Sequence, residues 1–369
     1  MGKAQSMSLK EKLLQEAKEL GFDLVKVTSA EPLTDVEMEL ERRLQLGLSI
    51  PLMPGNSRER TTPALHLPGV QSIVMAAMAY SVDPAIIEQA EQGRRDGADN
   101  GSPAEDSPLR GDLSRYAWGE DYHGVMIPRL QRLAGFLEES LPGTQCCVMV
   151  DSGPLAEKAL AYRAGLGFFG WNSLLITDTF GSWVFLGTLL TTASLPPDPF
   201  EPRACRECGR CMEACPTGAI VRPYVVDPKR CLSYITQARG ILPEEYRIPL
   251  GSRLFGCDTC QAVCPHNASP EWGNHREFLP HPQIGTTPSL EMVMQLTNQE
   301  FRQTFGQTAA GWRGRKILQR NAAINLGNSG SQRAVPVLKK ALADPSEPVR
   351  AAAKWALAQI EELDKHPLK

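Results

Sequence analysis

The sequence has no stretch of about 18 apolar residues, the length a membrane-spanning helix needs. Met1 to Leu20 is charged and holds no apolar run followed by a small-residue cleavage site, so no signal peptide is expected. Cysteine is almost absent outside one window. Only Cys146 and Cys147 lie beyond it, and the other eight fall between Cys205 and Cys264. A secreted disulfide scaffold is smaller and spreads its cysteines, so a reducing, cytoplasmic compartment with cysteines as metal ligands is expected. Acidic residues are missing from residues 301–340, which carry eight basic ones. The modest net charge of −3 conceals this, because elsewhere 31 basic residues face 42 acidic ones. A dinucleotide fingerprint is also lacking in any working context. Gly165-x-Gly167-x-x-Gly170 follows a predicted helix instead of joining a strand to one, and reads as a helix-ending turn.

What is present is ordinary globular material, 42% hydrophobic and 22% charged, enough for about two or three domains. Leu9, Leu13, Leu14, Ala17 and Leu20 predict a helix over 8–20 stopped by Gly21, with a strand over 22–28 and a helix over 34–46. Residues 71–80 read as a buried strand. Residues 91–112 nearly lack large apolar side chains and read as a mobile insert. A helix over about 124–140 and a strand from Cys147 to Val150 follow, the strand ending on Asp151. A helix is then predicted from Pro154 to Ala164, with strands over 172–178 and 182–192. The tract Leu195-Pro-Pro-Asp-Pro marks a boundary. From about residue 290 the chain turns helical, and Asp344-Pro345 between two amphipathic helices is similar to a HEAT repeat.

The cysteine window carries the clearest chemistry. Cys205-x2-Cys208-x2-Cys211-x3-Cys215-Pro216 is the bacterial ferredoxin run for [4Fe–4S] clusters, and Cys257-x2-Cys260-x3-Cys264-Pro265 is a second half. Structural zinc uses paired Cys-x2-Cys elements, which this run does not match. The fourth cysteine of such a run ligates the other cluster. Cys205, Cys208, Cys211 and Cys264 are therefore assigned to one cluster, and Cys215, Cys257 and Cys260 to the other. Cys231, the cysteine left in the window, completes the second set. Two clusters imply single-electron delivery to a further redox centre or a radical step.

Several motifs, taken with the cysteine runs, identify a resemblance. They are Arg60-Thr-Thr-Pro63, Trp118-Gly-Glu-Asp-Tyr-His123, Val150-Asp151-Ser-Gly-Pro154, Gly167-Phe-Phe-Gly-Trp-Asn172, Gly256-Cys257-Asp258, and Gly311-Trp-Arg-Gly-Arg315 before Gln319-Arg-Asn321. Together they resemble the epoxyqueuosine reductases, cobalamin-dependent iron–sulfur enzymes of tRNA modification related to reductive dehalogenases. The resemblance implies base-off cobalamin and two [4Fe–4S] clusters. It also implies reduction of an epoxide at the anticodon wobble position, the last step of queuosine synthesis. Asp121-Tyr-His123-Gly124 begins like the D-x-H-x-x-G cobalamin motif, but position 126 is Met, so no histidine from that motif is expected on cobalt.

The resemblance makes Asp151 the proton donor, an acid whose pKa must be raised by burial. Matching motifs place Arg60, Ser114, Asp151, Asn172, Leu175 and Leu186 on cobalamin, with Ser233, Gln237 and Asp258 as further candidates. The basic stretch with Trp312 suits RNA, and the resemblance makes Arg239, Arg313, Arg315, Lys316 and Arg320 contacts to the anticodon stem-loop. An external donor such as a flavodoxin or ferredoxin is implied, and the chain is read as a cytoplasmic monomer.

The fold expected is α+β in three parts. Residues 1–195 form an α/β-type cobalamin-binding catalytic domain. Residues 196–285 form a ferredoxin-like two-cluster domain, and 286–369 a helical HEAT-like tRNA-binding domain. Two other readings compete. A small-molecule reductase needs no basic tail, and a bare electron carrier needs only the cluster module.

Overall fold

A computed structural model describes residues 7–53, 55–89, 92 and 108–365. Ser8 caps α1 (Leu9–Glu19) in a reciprocal capping box with Glu11, and Leu13 and Ala17 are buried. Gly21, at φ +84°, turns the chain toward β1 (Leu24–Ser29). Then come α2 (Thr34–Gln45), α3 (Ser57–Thr61) and β2 (Ser72–Ala79), the last buried along its whole length. β3 (Asp112–Leu113), α4 (Tyr122–Ser140), β4 (Cys146–Met149) and α5 (Glu157–Arg163) follow. β5 (Phe168–Phe169), β6 (Leu175–Ile176) and β7 (Val184–Thr191) complete this half.

β1, β2, β7 and β4 form one sheet in that order, and every pairing is antiparallel. This corrects the expected α/β-type domain. Parallel strands with crossover helices would define that class, whereas this half is α+β. The alternation of β2 explains its full burial. Val74, Ala76 and Met78 point into a core shared with α1 and α4, while Ile73 and Met75 point into one shared with α5. The strand predicted over 172–178 shrinks to β6, a two-residue partner of β5. The helix predicted from Pro154 begins only at Glu157, because the chain bends through residues 150–155 first.

Most of the predicted insert, residues 91 and 93–107, lies outside the described residues. Its last residues are held. Arg110 bridges to Ser289, and β3 runs parallel to β10 (Arg253–Phe255). Between them in sequence lie α6 (Arg210–Glu213), β8 (Ile220–Arg222), β9 (Val225–Val226), α7 (Leu232–Ile235) and α8 (Glu244–Leu250). After β10 come α9 (Thr259–Ala262), α10 (Leu290–Gln295), α11 (Asn298–Gln303), α12 (Arg315–Asn328), α13 (Val335–Ala341) and α14 (Glu347–Lys365).

The border predicted near residue 285 runs through one continuous core. Leu232, Ile235, Leu254 and Phe255 pack in it with Leu290, Leu318, Ala322 and Ala356. α12 is its axle, buried without a break from Ile317 to Gly327. A Cβ at Gly327 would lie 2.7 Å from the Ala356 Cα, so glycine is what lets α12 and α14 approach this closely. Among the described residues no helix is long and apolar enough to cross a membrane.

Candidate active site

The structure gathers the window cysteines into two adjoining groups. Burial pushes the Cys211, Cys231, Cys260 and Cys264 thiols up, and neighbouring thiols then act largely within groups. Cys211 feels Cys205, Cys208 and Cys264, and Cys264 feels Cys205 and Cys208. Cys231 feels Cys257 and Cys215, and Cys260 feels Cys231 and Cys257. Cys260 also feels Cys211, so the groups touch. Among the described residues no three ligating side chains converge on a single-ion site. A cubane does not need that convergence, because its corners hold the thiolates apart. Cys208 is exposed at the surface, whereas Cys215, Cys231, Cys257 and Cys260 wall a cavity of about 320 Å³.

That cavity continues into a second of about 950 Å³. Tyr122, Lys158, Val184, Phe185 and Leu186 line both, and the pair make one cleft between the sheet and the cysteine module. Ser114, Asn172, Leu175 and Ser233 lie on the cysteine side, Arg60 and Asp151 on the other, and Leu186 on both. Asn172 lies close enough to Cys260 for its side chain to pull the thiol pKa down against burial. The Arg60 Nε is buried and has no hydrogen-bond partner among the described residues, the signature of a group that awaits a ligand.

Asp258 and Gln237 do not line the cleft. Asp258 is half-buried behind Ser114, accepting its hydroxyl and the Arg115 N–H at 2.8 Å, and partial burial raises its pKa. Gln237 ties the cleft to the basic surface. Its Nε2 donates to the Tyr116 hydroxyl at 3.2 Å, and its Oε1 accepts from the Trp312 Nε1 at 2.9 Å.

Asp151 sits where β4 ends, at φ +51°, a left-handed conformation uncommon outside glycine. It is exposed, not packed against apolar walls as its predicted role would require. The Tyr122 hydroxyl donates to its Oδ2 at 2.8 Å, and its own N–H donates to the Glu157 Oε2 at 2.9 Å. Tyr122 is itself stacked on Phe185, 4.2 Å between ring centroids and 9° between planes. The less exposed carboxyl of this group is the half-buried Glu157, whose pKa is pushed up to about 8 by desolvation, with the Asp151 charge adding. The exposed Lys158 ammonium donates to the Ser173 carbonyl at 3.0 Å. Sequence reasoning missed Tyr122, Glu157 and Lys158. The available signal was a Glu-Lys pair opening a helix whose next residues, Ala159, Leu160 and Ala161, are all buried.

The basic residues divide sharply. Trp312 is 54% exposed with the Arg313 guanidinium 4.4 Å above its ring, and exposed Arg239 lies close enough to act on Arg313 electrostatically. Arg315 donates to the Leu296 carbonyl and the Asn298 side chain, and Lys316 pairs with Asp344 at 2.6 Å. Arg320 contradicts the expectation of an RNA contact. It is 0% exposed, and its guanidinium donates to the carbonyls of Ile235, Thr236, Ala238 and Gly240 and to the Asn321 Oδ1. It satisfies the carbonyls that α7 and the following turn leave unpaired, and no polyanion can reach it.

Comparison with known proteins agrees along the whole chain. Residues 60–152 match the family described as epoxyqueuosine reductase QueG, DUF1730. Residues 204–267 match a 4Fe-4S double cluster binding domain, and 313–367 match HEAT repeats. An epoxyqueuosine reductase of Bacillus cereus is 38% identical over 354 residues, 95% of this chain and 89% of that protein. A solved epoxyqueuosine reductase with an epoxyqueuosine-modified tRNA-Tyr stem loop superposes with TM-score 0.87 at 35% identity, covering 98% of this chain and 94% of that one. A Bacillus subtilis epoxyqueuosine reductase, described with an aspartate catalytic loop swung out of the active site, superposes with TM-score 0.86 at 35% identity, covering 97% and 93%. With the segment that runs up to the Asp151 turn, the double cysteine module and the HEAT-like tail all matched, the chain belongs to the epoxyqueuosine reductase family.

Proposed function

We propose that this chain reduces the epoxide of epoxyqueuosine, at the wobble position of a tRNA anticodon, to the alkene of queuosine. Cobalamin would occupy the cleft base-off, and each cysteine group would hold a [4Fe–4S] cluster. The observation that carries this reading is the continuity of the cleft, walled by four cysteines at one end and carrying Asp151 at the other. Its lining suits a corrin. Leu175, Val184, Phe185 and Leu186 offer apolar walls, Ser114, Asn172 and Ser233 offer polar contacts for an amide-fringed edge, and the unpaired Arg60 offers a cation. Cobalamin, when bound, supplies a reduced cobalt centre able to deliver electrons to an epoxide carbon.

The chain's own residues must manage the protons. Conversion of an epoxide to an alkene and water takes two electrons and two protons. The opened ring carries an alkoxide, a poor leaving group until protonated, so an acid is required beside it. Of the carboxyls that line this cavity, Asp35, Glu39, Asp151 and Glu157, Asp151 is the one that Tyr122 orients by donating to Oδ2. Burial, and then the Asp151 charge, raise the Tyr122 pKa, so its hydroxyl remains a donor. The exposure of Cys208 gives the outer cysteine group a route to a one-electron carrier such as a flavodoxin or ferredoxin. Arg239, Trp312 and Arg313 offer cations and a stacking face to the splayed nucleotides of an anticodon loop, and the related structure with a bound stem loop supports a tRNA stem loop as the ligand.

The test is Asp151→Asn in cofactor-loaded protein. It should slow epoxide loss by about 100-fold or more while the KM for the stem-loop is kept. Wild-type turnover by that variant would reject the donor role. Failure of the wild-type chain to take up cobalamin would reject the cofactor.

A further inference from the structure

The turn that carries Asp151 is held from two sides, and only one hold touches its side chain. Tyr122 grips the carboxylate. Glu157 grips the backbone, its Oε2 accepting the Asp151 N–H at 2.9 Å. The other Glu157 oxygen, Oε1, lies 3.2 Å from the hydroxyl of Thr188, a fully buried residue in the middle of β7. Asp151 is therefore tied through Glu157 to the fully buried middle of β7. Its φ of +51° is costly for a non-glycine residue and persists only where the surroundings enforce it. A relative of the same fold is described with its aspartate catalytic loop swung out, so an enforced position has an alternative.

We propose that Glu157 is a positioning residue, whose carboxyl group latches the Asp151 turn to β7 and so keeps the acid facing the cleft. This rests on the reading of Asp151 as the proton donor, but the latch has a conformational readout of its own. Both bonds of the latch are accepted by the carboxyl, the Asp151 N–H on Oε2 and the Thr188 hydroxyl on Oε1, and the latch also holds with the carboxyl as the neutral acid. One oxygen then accepts the Asp151 N–H while the other shares a proton with Thr188, and no negative charge faces the Asp151 carboxylate. Burial and the Asp151 charge favour that state. The other charged or titratable groups on the same cavity wall are Tyr122 from α4, Lys158 and Tyr162 from α5, Arg60 from α3, Asp35, Glu39 and Arg43 from α2, and Arg203 and Tyr224 from the cysteine module. Glutamine reproduces the neutral geometry, with its carbonyl toward Asp151 and its amide toward Thr188. Alanine does not.

The experiment compares Glu157→Gln, Glu157→Ala and Thr188→Val with wild type in full-length, anaerobically purified, cofactor-loaded protein. Hydrogen–deuterium exchange is read at the peptide spanning 150–156, with the β2 peptide as the control for an intact fold. Glu157→Ala should speed exchange at 150–156 about tenfold, the factor that loss of one ordinary backbone hydrogen bond allows, with β2 unchanged. Glu157→Gln should stay near wild type. Thr188→Val, which is isosteric and keeps the fold if the alanine variant loses it, should give a smaller rise in the same peptide. In turnover, Glu157→Ala should lower kcat with the stem-loop KM kept, and glutamine should restore most of the loss. Wild type should lose rate as pH rises through about 8, and the glutamine variant should carry activity to higher pH. The proposal is overturned by unchanged exchange at 150–156 in folded Glu157→Ala or, where that variant does not fold, in Thr188→Val. It is equally overturned by a glutamine variant as impaired as alanine. If wild type shows no turnover, the functional reading fails while the exchange data still decide the latch.

Discussion

Arg320→Met is the substitution that most sharply separates a structural cation from an RNA contact. Methionine fills similar volume but removes every donor. Arg320 donates to four backbone carbonyls over residues 235–240 and to Asn321, and it is completely buried. Asn321 itself donates to the Thr236 and Leu254 carbonyls, both at 2.8 Å, so the two side chains together stitch α12 to the cysteine module. A hydrogen bond from a charged donor contributes about 1.5–3 kcal/mol, and each buried carbonyl left without a partner costs about 1–3 kcal/mol. These effects overlap, so a net loss of about 3–6 kcal/mol is reasonable, a large part of a total stability of about 5–15 kcal/mol. Such a loss lowers the Tm by roughly 4–8 °C in a chain of this size. Thermal melting, set beside binding of an anticodon stem-loop at several salt concentrations, reads both roles. Arg320→Met should melt early, and Arg313→Ala should melt with wild type. An Arg320→Met that keeps the wild-type Tm but weakens RNA binding as Arg313→Ala does would refute the assignment.

Three further outcomes follow from the same geometry. Arg313→Ala should weaken stem-loop binding and flatten the plot of log K against log salt by about 0.7–0.9, the release of one phosphate's counterion; an unchanged slope would remove Arg313 from the interface. Cys231→Ala should halve the iron content of the reconstituted protein, because it depletes the cavity-lining group and leaves Cys205, Cys208, Cys211 and Cys264 complete; full iron would show that Cys231 is not a ligand. Glu157 holds its proton to about pH 8 when folded but releases it near 4.5 when unfolded, so the unfolded state binds fewer protons across that window and stability falls as pH rises through it. Glu157→Gln should remove that component of the fall, measured by denaturant unfolding at pH 5 and pH 8, and an identical pH slope in both proteins would contradict the raised pKa.

Much of the architecture is legible in the sequence because it rests on local patterns. The Ser8 to Gly21 helix is bracketed by its own cap and stop, and β2 is apolar along its length because both faces are covered. Cysteine spacing works the same way, since each run is a local loop around one cluster. Strand direction is not local. Nothing within β1, β2, β4 or β7 says that their neighbours run antiparallel, and the α/β-type expectation failed there. Polar residues on a buried helix mislead for a related reason. Gln319, Arg320 and Asn321 look like a solvated face until the unpaired carbonyls they serve, about 25 residues earlier for Gln319 and 67 or more for Arg320 and Asn321, are placed beside them. Glu157 was overlooked because the group it holds is a backbone N–H, which no residue type announces.

The most direct measurement is a single turnover. The full chain, loaded with cobalamin and both clusters and reduced anaerobically by a chemical donor, is mixed with an equal amount of epoxyqueuosine-bearing anticodon stem-loop, and the wobble nucleoside is analysed by mass spectrometry. The account predicts loss of one oxygen atom from that nucleoside, in proportion to the loaded enzyme and absent without reductant. An unchanged nucleoside in the presence of reduced, fully loaded protein would contradict it.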